Sequence, residues 1–104
     1  MTARAQLPNR RASTTFDFEV AGLRYTTTIS RFADGRVAEI FLQNHKAGSQ
    51  VDANAREAAI AASIALQEGS LLEVLRGAVL READGTASTP LGAALDIIAK
   101  EMAS

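Results

Sequence analysis

The chain of 104 residues contains no cysteine, no tryptophan, one histidine and two prolines, and aromatic residues make up only 5% of it. Without cysteine there is no disulfide framework, no thiolate nucleophile, no cysteine-based zinc site and no thiol radical. A single histidine cannot build a histidine-rich metal site, so neither a metal nor another cofactor is expected. No apolar run approaches the ~18 residues that span a bilayer. Residues 1–13 lack the apolar core of a secretory signal and read as a flexible basic tail, which leaves residues 14–104 as one domain. The expected compartment is the cytoplasm. A dominant charge is missing too: eleven basic and twelve acidic residues leave a formal net charge of −1. No basic field gathers nucleic acid by counterion release, so generic DNA or RNA binding is not expected.

What is present is an ordinary globular mixture, 47% hydrophobic and 22% charged. In TTFDFEV (14–20), Phe16, Phe18 and Val20 alternate with Asp17 and Glu19, the period of a strand with one wet face. LRYTTTIS (23–30) puts Tyr25, Thr27 and Ile29 on one face, and its β-branched run favours a strand. Asp34-Gly35 signals a short hairpin in which both central residues take positive φ. A third strand, RVAEIFL (36–42), is apolar on nearly both faces, as expected of a strand covered on both sides. Helices would cover one side and a second copy of the chain the other, so a homo-oligomer is expected.

Three helices follow. The first, within ANAREAAIAASIALQEG, has Asp52 or Asn54 as N-cap, a capping-box pattern in Asn54 and Glu57, and Gly69 as its stop. Ile60, Ile64 and Leu66 supply its bulk, and Ser63 returns its hydroxyl to the preceding turn. The second spans about 71–80 with Leu72, Leu75 and Val79 on one stripe. The third, 91–102, carries Leu91, Leu95, Ile98 and Met102 at helical spacing. The order predicts an α+β domain: a three-stranded antiparallel meander followed by three helices packed on one face.

The stretch HKAGSQVDANAREAA (45–59) holds the candidate binding site. Gly48 and Ser49 precede a helix start, whose free N–H groups and dipole favour an anion. His45 and Lys46 offer donors beside it, and Arg56 sits in the first turn, where an acidic guest would explain a cation. Arg31 and Arg36 flank the hairpin turn as secondary candidates. The competing reading is a well-capped loop in which Asp52 pairs with Arg56 at i, i+4 on a solvated helix surface. Lys46-Ala47-Gly48-Ser49 lacks the spacing of a P-loop. No catalytic residue is assigned, since nothing supplies an orienting partner for His45.

In order along the chain, Thr28-Ile29, Gly35, Glu39-Ile40-Phe41, Lys46-Ala47-Gly48-Ser49, Ser63 to Gly69 and Leu72-Glu73-Val74-Leu75 resemble the TSCPD domain family. That domain ends many adenosylcobalamin-dependent ribonucleotide reductases and also occurs as short stand-alone bacterial and phage proteins. The resemblance covers roughly residues 23–102. Where the family carries its naming Thr-Ser-Cys-Pro-Asp segment, this chain has Gly92 to Asp96, and only Asp96 is kept. The resemblance implies an accessory module that binds a nucleotide or a ribonucleotide reductase in deoxyribonucleotide metabolism. Ribonucleotide reduction itself needs cysteines and a far larger barrel, so the chain is not expected to be that enzyme. Alternatives are a ligand-free homo-oligomeric interaction domain and a phage-type protein that sequesters a nucleotide signal.

Overall fold

A computed structural model describes residues 13–103. Residues 1–12 of the expected basic tail lie outside them; Ser13 already belongs to the first strand. The elements run β1 (Ser13–Val20), β2 (Leu23–Arg31), β3 (Val37–Asn44), α1 (Gln50–Gln67), α2 (Leu72–Ala78) and α3 (Pro90–Ala103). The sheet is antiparallel in the order β1-β2-β3, and the α+β architecture is as the sequence predicts.

Strand alternation sorts the side chains. Phe16, Phe18, Tyr25, Thr27, Ile29, Ile40 and Leu42 face inward, and the ring of Phe18 stacks on Tyr25 with centroids 5.7 Å apart. Leu95 and Ile98 of α3 and Ala55, Ala59, Ala62 and Leu66 of α1 close over them, with Leu72 and Leu75 of α2 at the margin. The outer face is polar, with Thr15, Asp17, Thr26, Thr28 and Gln43 around Phe41, which is 50% exposed. Within one chain the helices cover only the inner side of the third strand: Val37 is buried beside the turn, and Phe41 stands on a wet face.

The turns differ from expectation in a way that follows from their φ angles. Between β2 and β3 the chain turns through Ala33, Asp34 and Gly35, closed by Phe32 N–H to Arg36 O (2.8 Å). Only Gly35 takes a positive φ (92°); Asp34 instead accepts from the Arg36 backbone N–H and pairs with its guanidinium at 2.7 Å. The two-residue turn with both φ positive lies at Ala21 (53°) and Gly22 (79°), joining Val20 to its partner Leu23. A Cβ in the left-handed region is unfavourable, and such turns prefer Asn-Gly. Ala21→Asn should therefore raise stability by about 0.5–1 kcal/mol, read as a higher Tm in a thermal melt.

Helix α1 begins earlier than expected. Its N-cap is Ser49, whose Oγ accepts the Asp52 N–H at 3.0 Å, and not Asp52 or Asn54. Asn54 instead accepts from the Gln50 side chain. The buried face of α1 is Ala55, Ala59, Ala62 and Leu66, while Ile60 and Ile64 are 60% and 41% exposed. This corrects the expectation that those isoleucines are its core bulk.

The reason is how α1 meets β3. β3 is an edge strand, and its unpaired backbone groups need partners. Side chains from one stripe of α1 supply them. Gln67 Nε2 donates to Ala38 O (3.0 Å), Ser63 Oγ both accepts from Ile40 N–H (2.9 Å) and donates to Ile40 O (3.0 Å), and Asp52 Oδ1 accepts from Asn44 N–H (2.9 Å). Helix and strand run antiparallel, and their lengths match. From 38 to 44 a strand rises about 20 Å. From 67 to 52 a helix rises about 22 Å. Side chains this short reach the strand only if the helix backbone comes close, which the alanines beside them permit. Ser63 thus bonds to β3, not to its own preceding turn.

Candidate functional site

The loop from His45 to Ser49 leaves the end of β3 and is held by short local bonds. His45 N–H donates to Arg24 O, Asn44 Oδ1 accepts from Lys46 N–H, and Ser49 Oγ donates to Lys46 O (2.9 Å). Gly48 takes φ +80°, a conformation that a residue with a Cβ enters only at a cost. Both hydrogen-bonding roles of the Ser49 hydroxyl are thereby occupied within the fold.

Of the predicted residues, Gly48, Ser49 and Arg56 surround one open concavity of about 470 Å³, which Asp52, Ala53, Glu57 and Ile60 complete. Arg56 Nη1 lies 3.8 Å from Asp52 Oδ2. The pair is not the solvated one expected: the Asp52 side chain is 4% exposed while that of Arg56 is 65% exposed. Asp52 supplies the negative charge that the helix start and Arg56 both favour.

The other predicted residues lie elsewhere. His45 turns onto the outer face of the sheet, with Nε2 at 2.9 Å from Thr26 Oγ1 and 3.9 Å from Asp17 Oδ1. Thr26 gives its hydroxyl proton to Asp17 at 2.6 Å, so His45 Nε2 donates to Thr26 rather than drawing a proton from it. That polarity is the reverse of an activated nucleophile. Arg31 and Arg36 sit at the opposite end of β3. Arg31 donates to Thr14 Oγ1, and Arg36 pairs with Asp34 and stacks on Phe32 at 4.8 Å. No group of three or more metal-ligating side chains comes together among the described residues.

Two features escaped the sequence reading. One is an ion cluster around Asp96. Arg81 binds both its oxygens at 2.8 Å, and Arg76 Nε donates to Oδ1 at 3.1 Å while also pairing with Glu73. Arg81 further donates to Gly85 O and Arg76 O, so the cluster ties α2, the following loop and α3 together. The Arg81 hydrogen bonds, helped by Arg76, hold the Asp96 carboxyl below its ordinary 3.8. A depressed carboxylate stabilises the fold above its unfolded pKa, and this contribution disappears as pH falls through the folded value. Asp96→Asn should therefore be less stable than the parent at pH 7, with the difference shrinking as pH drops below 3.8 in denaturant titrations. Asp34 and Asp84, also lowered, keep part of the acid sensitivity in both proteins.

The second is an apolar groove of about 480 Å³ between α1 and the α2–α3 connection, lined mainly by Val51, Ala55, Ala58, Val79, Leu80 and Leu91. Beside it Gly92 lets α3 pack closely: a Cβ there would meet Ala87 Cβ at 3.1 Å and Val79 Cγ2 at 3.2 Å. Leu80 at its rim is 71% exposed. Neither feature has a local signature, because each joins residues from separate elements.

No helix among the described residues is long and apolar enough to cross a membrane. No family model matches the chain, and no solved structure matches it. Over 70 residues, 67% of this chain, the sequence is 41% identical to the vitamin B12-dependent ribonucleotide reductase of Agrobacterium fabrum (strain C58). The match spans only 6% of that reductase. By sequence, then, this small α+β domain is similar to one short region of a B12-dependent ribonucleotide reductase.

Proposed function

We propose that the chain is a non-catalytic accessory module of the TSCPD type that serves deoxyribonucleotide metabolism by binding a ribonucleotide reductase. The observation that carries this reading is how the loop's polar groups are used. Ser49 Oγ, Asp52 and Asn44 are bound to one another's neighbourhood, while the groove beside Leu80 and Leu91 leaves apolar surface uncovered. Apolar surface rimmed by polar groups suits a protein partner. The similarity to a reductase region supports the choice of partner.

The test is capture of a purified B12-dependent ribonucleotide reductase on the immobilised chain. The parent should retain it, and Leu80→Asp should lose it while keeping the parent's circular dichroism. No retention, or retention unaffected by Leu80→Asp, would count against the reading. A second reading, nucleotide binding, is favoured by the shared concavity of Gly48, Ser49 and Arg56. A nucleotide at about 100 times its Kd adds roughly 2.7 kcal/mol. At about 4–8 °C per kcal/mol that is a Tm rise of some 10 °C or more, abolished by Lys46→Ala with Arg56→Ala. A flat panel of nucleoside mono-, di- and triphosphates removes the second reading and leaves the first.

A further inference from the structure

The sheet has two open edges, and neither suits a second chain. On β3, positions 38, 40 and 44 are already bonded by α1. On β1, antiparallel self-pairing centred on Asp17 would set the Asp17 carboxylates of two copies directly opposite one another, an unfavourable like-charge contact. The apolar surface next to β3 lies instead on the outward side of α1. Phe41, Ile60 and Ile64 are 50%, 60% and 41% exposed and line one concavity together with Arg56. Lone exposed apolar residues are ordinary; three around one concavity are a patch.

The pattern on that face is self-complementary. Arg56, Ile60, Ile64 and Glu68 form a single i, i+4 ridge, and their numbers are symmetric about position 62. Two such ridges laid antiparallel about a twofold axis place Ile60 against the partner's Ile64 and Arg56 against the partner's Glu68, twice over. Ridges of this kind interlock at a crossing angle of about −50°. Glu68 is exposed and has no ion-pair partner among the described residues. Arg56 has only its 3.8 Å contact to Asp52, with most of its side chain in solvent. Both charges are thus open to a new partner, and like charges do not meet. From this geometry we infer that the outward face of α1 docks a second copy of the chain, as an antiparallel α1–α1 pair with Phe41 packed at its margin. This inference is independent of the reductase reading, which uses the groove on the other side of α1.

Sedimentation velocity over a concentration series tests it. The parent should run at twice its 11.0 kDa chain mass. Ile60→Asp should run as a folded monomer. Glu68→Arg, at an exposed helix end where folding is little affected, should raise the dimer Kd by more than about tenfold, because it sets like charges together. Arg56→Glu combined with Glu68→Arg should restore the parent's Kd to within a few fold, since the pair is re-formed with its signs exchanged. A parent that stays monomeric up to its solubility limit overturns the inference, as does a dimer that Ile60→Asp leaves intact. If the charge exchange fails to rescue Glu68→Arg while the double variant remains folded, the antiparallel register is wrong and the proposal falls.

Discussion

Replacing Leu95 with alanine should lower the unfolding free energy by about 2–5 kcal/mol, a large share of the roughly 5–15 kcal/mol that a domain of this size possesses. Leu95 is fully buried, and with Ala94 and Ile98 it is how α3 covers the inner face of the sheet against Tyr25, Ile29 and Ile40. Truncation removes transfer free energy and leaves a cavity that rigid strands cannot fill. Urea unfolding should show a lower midpoint with an unchanged slope, because the surface exposed on unfolding hardly alters. The control is Ile60→Ala on α1, compared with its parent at a concentration where both are monomeric. Its side chain is 60% exposed, so its truncation should stay within about 0.5 kcal/mol. If Ile60→Ala proved as costly as Leu95→Ala, the orientation of α1 described above would be wrong.

The second large effect concerns Asp52. Asp52→Ala should cost about 2–3 kcal/mol, since it strands the Asn44 N–H at a buried position and strips the acidic group from the first turn of α1. Asp52→Asn keeps an acceptor at the same place and should lose nearer 1 kcal/mol. Amide hydrogen exchange gives a local readout: Asn44 should exchange faster in the alanine variant and close to the parent's rate in the asparagine one. The same pair bears on the loop. Were Gly48, Ser49 and Arg56 to hold a phosphate, removing the carboxylate charge in Asp52→Asn would free Arg56 and strengthen inorganic phosphate binding. Unchanged, undetectable phosphate binding would leave the loop as a capped connection.

Ser63 and Gln67 belong to the same arrangement as Asp52. A polar side chain recurring at 52, 63 and 67 inside an alanine-rich helix carries no meaning until the strand it faces is known. Read alone, Ser63 looks like a residue bonding to its own helix, and Asp52 like half of a surface ion pair. Local propensity sees neighbours within about one turn, whereas these bonds join positions 23 and 29 residues apart in the chain.

The sequence by itself determined the elements: period-2 alternation in β1 and β2, the β-branched run of β2, the Gly69 stop of α1 and the apolar stripe of α3 placed every strand and helix in the right order. It also excluded chemistry that needs thiols, through the absence of cysteine. What it determined poorly were choices between near-equal local options, such as which of Ser49, Asp52 and Asn54 caps α1 and which turn takes two positive φ angles. Tertiary structure alone decided which face of α1 is buried. Hydrophobicity favours Ile60 and Ile64 for the interior, but an edge strand with unpaired N–H and C=O groups requires a helix backbone close beside it, and only alanine, with Ser63, Gln67 and Asp52 reaching across, satisfies both demands. The isoleucines are displaced to the surface as a consequence, and the candidate loop is closed by the same Asp52 that seals the strand.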